Sequence, residues 1–188
     1  MSQAHIRTLL EHAQLLKRVP RMGWLLNGVN PAESVADHTS ATALLVMALA
    51  AEINRDPAAH GLTAPLDSGR AAQIALLHDL GESVLTDLPK RAGDLIGATV
   101  KHEAEAAVAL SLLHELGPTQ ELLSLWYEYA EGTSPEGRLV KDADKLEMVA
   151  QALAYERAGN RMLAEFFDGF QWSYTLSADF FEGLRQSR

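Results

Sequence analysis

Apolar residues recur at intervals of three and four along much of the chain, and this spacing constrains the fold more than any other feature. The clearest stripe consists of Leu139, Ala143, Leu146, Ala150 and Leu153, which fall on one side of a helix. No stretch of useful length shows the apolar and polar alternation that is typical of a strand. The sequence therefore predicts an all-α fold.

Serine, proline and glycine residues divide this pattern into a bundle of about six main helices. Ser34 followed by Asp37 has the form of a helix N-terminus, and Ser134-Pro135 begins the most regular helix. A chain of 188 residues without internal repeats can bury one core, so residues 1–188 are predicted to form a single domain. The predicted helices cover 3–16, 34–54, 70–82, 100–116, 119–130 and 135–158, followed by short helices in the tail 161–188.

The composition excludes several classes of partner. A net charge of −9 with a pI near 5.2 argues against nucleic acid, because nonspecific binding to it depends on basic patches. The longest apolar run, 41–51, is too short to span a bilayer, and the N-terminus does not resemble a signal peptide. Because the sequence has no cysteine, any metal must be held by His, Asp or Glu. We expect a cytoplasmic protein that binds neither nucleic acid nor membrane.

The apolar helical segment from Ile74 to Glu82 ends in three groups that can bind a metal or move a proton, namely His78, Asp79 and Glu82. A buried carboxylate without a partner is costly and normally finds a cation or takes up a proton. On one helix Glu82 follows His78 by four residues and Asp79 by three, so the side chains can face one cavity. This segment is the first candidate for a metal site.

Two further helices offer possible ligands. His38 lies on the inward face of its helix, where a histidine can be either a hydrogen-bonded core residue or a ligand. Asp144 lies beside the apolar stripe, with Asp142 turned away from it. Spacing alone does not separate these two aspartates. Two imidazoles and two carboxylates would suit a divalent ion such as Mn, Fe, Co, Ni or Zn and leave positions open for water or substrate.

Several motifs occur in an order that resembles the HD-domain metal-dependent phosphohydrolases, in particular their 5′-deoxynucleotidase (YfbR-like) group. The resemblance covers roughly residues 9–158 and implies the helical HD-domain bundle. The matching segments are 16–24 (LKRVPRMGW), 31–38 (PAESVADH), 78–82 (HDLGE), 86–89 (TDLP) and 139–146 (LVKDADKL).

The resemblance implies a role for each matched residue. One divalent metal ion (Mn, Co, Fe, Ni, Zn or Mg) would be held within the segment 34–144. Glu82 would position or deprotonate the attacking water, Arg18 would bind the phosphate of a nucleoside 5′-monophosphate, and Asp87 would bind the sugar. The implied metal ligands are His38, His78, Asp79 and Asp144.

The sequence departs from the best-known bacterial pattern at Val19, where that pattern has an aromatic residue that helps to reject the ribose 2′-hydroxyl. The preference for deoxyribose over ribose is therefore open. Trp24 can supply a replacing aromatic surface, or it can anchor the core or an interface.

Three functional hypotheses follow. The first is a metal-dependent phosphomonoesterase that hydrolyses (deoxy)ribonucleoside 5′-monophosphates to nucleoside and phosphate. The second keeps the metal but acts on a phosphodiester or another phosphorylated metabolite. The third is a catalytically silent nucleotide-binding or sensor module. The resemblance also implies a homodimer, for which the aromatic tail offers apolar surface.

Overall fold

The computed structural model describes residues 3–114 and 120–188. These residues form ten α-helices and two short 3-10 helices, which confirms the all-α prediction. Six helices of ten residues or more precede the tail. The α-helices are α1 (Gln3–Leu16), α2 (Met22–Leu26), α3 (Val35–Ile53), α4 (Ser68–Leu77), α5 (Glu82–Leu85), α6 (Lys90–Ile96), α7 (Ala98–Leu113), α8 (Glu121–Glu131), α9 (Pro135–Arg157) and α10 (Thr175–Gln186); the 3-10 helices are Pro57–His60 and Ala164–Phe167.

The helices α3, α4 and α9 pack against one another and form the centre of the bundle, with α8 against α4 and α9. The predicted stripe faces this centre, because Leu139, Ala143 and Leu146 are completely buried. Burying a leucine side chain contributes roughly 1.5–3 kcal/mol. The same hydrophobic pattern that predicts α9 therefore fixes its orientation in the bundle.

The start of α3 follows the prediction from Ser34 and Asp37. The Asp37 backbone N–H donates to the Ser34 hydroxyl at 3.2 Å, and the Ser34 N–H donates to an Asp37 carboxylate oxygen at 2.9 Å. This reciprocal capping box satisfies two of the N–H groups that a helix start leaves open. It begins α3 at Val35 and places His38 in the first turn, where it is fully buried.

The helix predicted over 70–82 is shorter than expected. The helix α4 ends at Leu77, and the separate helix α5 begins at Glu82. Between them the backbone is held by bonds to the third preceding residue, from Leu80 N–H to Leu77 C=O and from Glu82 N–H to Asp79 C=O. These bonds tighten the chain into turns. The prediction that one helix carries His78, Asp79 and Glu82 was therefore wrong.

The helices predicted over 100–116 and 119–130 correspond to α7 and α8. The predicted end of the first and start of the second fall in 115–119, outside the described residues. The tail packs back through Asp142, which is completely buried and accepts hydrogen bonds from the backbone N–H groups of Ser173 and Tyr174 at 3.0–3.1 Å. Asp142 therefore anchors the segment that leads into α10.

Candidate metal centre

The structure brings together the four residues predicted as metal ligands, from α3, α9 and the turn after α4. His38 Nε2 lies 3.2 Å from an Asp144 carboxylate oxygen and 3.7 Å from one of Asp79. His78 Nε2 lies 3.2 Å from the same Asp79 oxygen. Ligand atoms around one ion at about 2.0–2.2 Å each are separated by distances of this order.

The hydrogen bonding of the two imidazoles fits a metal. Within the described chain, neither His38 Nε2 nor His78 Nε2 makes a hydrogen bond of normal geometry, and both atoms are buried. Buried polar atoms normally have partners, and here each faces carboxylate oxygens instead. An ion bound between two such nitrogens and the oxygens of Asp79 and Asp144 would supply the missing partner.

The other nitrogen of His38 is held by a second carboxylate. Its Nδ1–H donates to Glu147 at 2.5 Å, which leaves the lone pair of Nε2 for a metal. Glu33 also lies within 4.8 Å of these atoms and could form an alternative ligand group with them. However, Glu33 accepts a hydrogen bond from the Trp24 indole at 2.7 Å. We therefore interpret Glu33 and Glu147 as support behind His38.

His78 and Asp144 are fixed in a comparable way. His78 Nδ1–H donates to the Ala75 carbonyl at 2.7 Å. The Tyr129 hydroxyl donates to an Asp144 oxygen at 3.0 Å, and its ring packs edge-on against His78 with centroids 5.0 Å apart. Such contacts orient the ligands before a metal arrives.

The close approach of these charged groups shifts several of their pKa values. Burial and the charge of Arg21 act to lower the pKa of His38, but the contacts with Asp144 and Glu147 outweigh them and raise it to about 10. Burial acts to raise the pKa of Asp79, but His78 and Arg21 bring it well below its usual range. Burial also acts to raise the pKa of Asp144, but its contact with His38 brings it down to about 2. Both carboxylates that face the imidazoles are therefore ionised at neutral pH and available to a cation.

Glu82 lies beside Asp79 and Asp144 in the lining of one cavity. Its side chain is largely buried, and one of its oxygens has no hydrogen-bond partner among the described residues. Burial and the negative charges of Asp79 and Asp87 raise the pKa of Glu82 well above its usual range. A carboxylate with a raised pKa is a stronger base, which suits the role of general base.

Arg18 is exposed and does not line the cavity at this centre, whereas Arg21 does. Pro20 forms an antiparallel bridge with Ser34, and Arg21 N–H donates to Glu33 C=O at 3.0 Å. The chain is therefore extended at residues 19–21, whereas Arg18 lies in the turn that follows α1. The sequence placed Arg18 at the phosphate, but the structure leaves Arg18 outside the cavity lining and brings Arg21 into it.

The guanidinium of Arg21 lies 3.4 Å from Asp79 and 3.2 Å from Asp87. Burial acts to lower the pKa of Arg21, but the negative charges of these carboxylates outweigh burial and raise the pKa above its ordinary value. The structure thus places Asp87 at the site, where it also accepts the Met22 backbone N–H. Only the cluster of basic residues in 17–21 could have drawn attention to Arg21 in the sequence.

The centre opens into a cavity of about 620 Å³. Lys101 of α7 also lines the cavity, as does Phe166 from the tail. The lining includes five carboxylates and four basic side chains, so a bound divalent ion would leave it with a net positive charge. The charged lining residues are Arg21, Asp79, Glu82, Asp87, Lys90, Asp94, Lys101, Asp144 and Lys145.

Comparisons with known proteins agree with this architecture. A family model described as the HD domain matches residues 13–182. The 5′-deoxynucleotidase hdd1 of Schizosaccharomyces pombe is 33% identical over 159 residues, which are 80% of this chain and 73% of the relative. The 5′-deoxynucleotidase HDDC2 of Homo sapiens is 34% identical over 170 residues, with coverages of 86% and 76%.

A solved structure extends the similarity to the whole fold. A conserved hypothetical protein from Pyrococcus furiosus superposes with a TM-score of 0.81 at 36% identity and covers 95% of this chain and 98% of its own. Similarity of this extent in both sequence and structure means that the chain belongs to the HD-domain family, in the branch that contains the 5′-deoxynucleotidases.

Proposed function

We propose that this protein is a metal-dependent phosphomonoesterase that hydrolyses (deoxy)ribonucleoside 5′-monophosphates to nucleoside and phosphate. The observation that carries the proposal is the pair of buried imidazole Nε2 atoms, on His38 and His78, which face carboxylates at a cavity that also contains Arg21. The relatives named 5′-deoxynucleotidase support the same activity and substrate class.

His38, His78, Asp79 and Asp144 would hold one divalent ion, whose identity is open among the borderline metals and magnesium. Bound there, the ion would polarise the phosphoryl group and lower the pKa of a water molecule. The protein's contribution is to keep the four side chains in place through Glu147, the Ala75 carbonyl and Tyr129.

Glu82 is proposed as the general base. It would align a water molecule with the phosphorus and accept its proton as the water oxygen forms the new P–O bond. The bond between phosphorus and the 5′ oxygen breaks, and the proton passes to that oxygen as the nucleoside leaves. The unpartnered oxygen of Glu82, beside Asp79 and Asp87 at the cavity, supports this role.

The phosphate and sugar would be bound by Arg21 and Asp87. A guanidinium offers a fixed fork of donors to phosphate oxygens, and Arg21 reaches the cavity where Arg18 does not. Lys101 adds a second positive charge to the same lining. Asp87 retains lone pairs beyond those used by Arg21 and Met22, so it can accept a hydrogen bond from the 3′-hydroxyl.

The test is phosphate release from dAMP, AMP, dTMP and a phosphodiester by protein stripped with a chelator and reloaded with Mn, Co, Zn or Mg. We expect hydrolysis of the monophosphates only after reloading. Activity confined to the phosphodiester would favour a diesterase. Tight nucleotide binding without product would favour a silent module.

A matched pair of variants tests the proposed base. Glu82→Gln should lose at least about a hundredfold in kcat while the bound metal remains near one equivalent. Glu103→Gln, on the exposed side of α7, should change neither quantity. Near-native turnover by Glu82→Gln would refute the assignment of the base.

We also propose that the chain forms a homodimer. Neighbouring helices expose large apolar side chains, with Leu44 and Met47 of α3 at 67% and 51% exposure and Leu76 of α4 at 55%. Sedimentation should show a dimer that Leu44→Glu dissociates and Leu95→Glu, on α6, does not. A monomeric wild-type protein would contradict the proposal.

Among the described residues, no helix is both long and apolar enough to cross a membrane. The cytoplasmic location, the absence of nucleic-acid binding and the single-domain organisation stay predictions of the sequence.

A further inference from the structure

The lining of the cavity has a distinct apolar portion in addition to its charged one. Gly23, Trp24, Met148 and Phe166 contribute to it. Met148 lies one helical turn after Asp144 on α9, and Gly23 lies two residues after Arg21. The apolar wall is therefore tied at two places to residues that the proposed function assigns to the metal and the phosphate.

Phe166 is the more exposed of the two aromatic rings in this wall. Trp24 is only 1% exposed and lies behind Phe166, with ring centroids 4.2 Å apart and an interplanar angle of 36°. Gly23 fits against the edge of the same ring, because a Cβ atom there would lie 3.3 Å from Phe166 Cζ. Packing on two sides holds the half-buried ring in one orientation.

A nucleoside monophosphate bound through its phosphate must place its base elsewhere along the lining. A nucleobase is a flat ring system that stacks favourably on an aromatic side chain. The charged portion of the lining would have to be desolvated to receive it, which costs free energy. The wall formed by Phe166 and Met148 carries no charge and needs no such desolvation.

We propose that Phe166, held by Trp24 and Gly23 and extended by Met148, is the surface on which the nucleobase of the substrate lies. This inference rests on the proposed nucleotidase function and adds a specificity-determining residue from the tail. Phe166 is not expected to touch the phosphate or to take part in bond cleavage. Its contribution should therefore appear only with substrates that have a base.

The experiment compares dAMP with deoxyribose 5-phosphate, which has the same phosphoester but no base. Phe166→Ala should lower kcat/KM for dAMP about 5- to 100-fold, as expected when a stacking partner is removed. The value for deoxyribose 5-phosphate should change less than twofold. Phe166→Tyr, which keeps the ring, should restore most of the activity on dAMP. Phe180→Ala, on α10 and outside the cavity lining, should alter neither substrate.

A binding measurement separates failure of this inference from failure of the proposed function. Calorimetric titration of metal-loaded protein with deoxyadenosine should give a Kd that Phe166→Ala raises by a similar factor. Equal losses on both substrates, or no loss on either, would overturn the nucleobase surface. A wild-type protein that hydrolyses no monophosphate, but whose deoxyadenosine binding depends on Phe166, would overturn the nucleotidase function and leave the surface standing.

Discussion

Gly137, in the first turn of α9, lies against the backbone of α8 at Glu128. We predict opposite effects of glycine-to-alanine changes at Gly137 and at Gly183 of α10. A Cβ atom at Gly137 would lie 2.7 Å from the carbonyl carbon of Glu128 and closer still to its oxygen. Both atoms belong to the backbone of α8, so no side chain can rotate away. Ordinary contact begins near 3.4 Å, and the helices would have to separate by at least 0.7 Å.

This separation has a cost that can be set against the helix propensity of alanine. Forcing extra atoms into a packed core costs about 1–3 kcal/mol, and a rigid backbone neighbour favours the upper end. Alanine returns about 0.5–1 kcal/mol in a helix interior. Gly137→Ala should therefore lower the free energy of unfolding by about 2 kcal/mol. Gly183→Ala, with no atom within 4 Å of the added Cβ, should raise it by about 0.5–1 kcal/mol.

Urea and thermal unfolding of the two variants provide the assay. For a chain of this size we expect the midpoint temperature of Gly137→Ala to fall by roughly 4–8 °C and that of Gly183→Ala to rise by roughly 1–4 °C. Because Tyr129 follows Glu128, the separation should also pull its hydroxyl from Asp144 and weaken metal binding. If Gly137→Ala unfolds within about 0.5 kcal/mol of wild type, the close approach of α8 and α9 is refuted.

Three further predictions concern the metal and the tail. Glu147→Gln should weaken metal affinity by about 10- to 100-fold, because it alters the partner that orients His38; an unchanged Kd in a calorimetric metal titration would contradict this role. Asp142→Ala should lower the free energy of unfolding in urea by about 2–4 kcal/mol, since it removes charge-assisted hydrogen bonds to buried backbone. A loss below about 1 kcal/mol would contradict the role of Asp142 as the anchor of the tail. Metal at a hundred times its Kd should stabilise the protein by about 2.7 kcal/mol, visible as a higher midpoint temperature that His78→Ala abolishes; a shift of equal size in that variant would place the metal elsewhere.

Local sequence determined most of the secondary structure. The stripe on α9 and the capping box at Ser34 are short-range signals, because they depend on residues three or four positions apart. These signals were sufficient for the all-α class and for the inward position of His38. They failed after Leu77, where tight turns interrupt a pattern whose apolar spacing still resembles a helix.

The residues of the candidate site were also only partly predictable from the sequence. The motif order of the family identified Asp144 rather than Asp142, although spacing alone could not. The structure shows what separates them: Asp144 faces His38, and Asp142 is buried under the tail. Nothing local in the sequence reports which of two nearby aspartates will meet the backbone of residues 173–174.

Tertiary structure alone decided which other side chains reach the cavity. Arg21 rather than Arg18 lines the cavity, because Arg18 lies in the turn after α1 and the chain pairs with the start of α3 only from there on. Glu147 and Phe166 reach the site region through contacts with residues more than a hundred positions away in the chain, such as His38 and Trp24. The sequence by itself therefore determined the helices and the chemical types of the ligands. Which partner each buried group meets depends on long-range packing, which no local periodicity encodes.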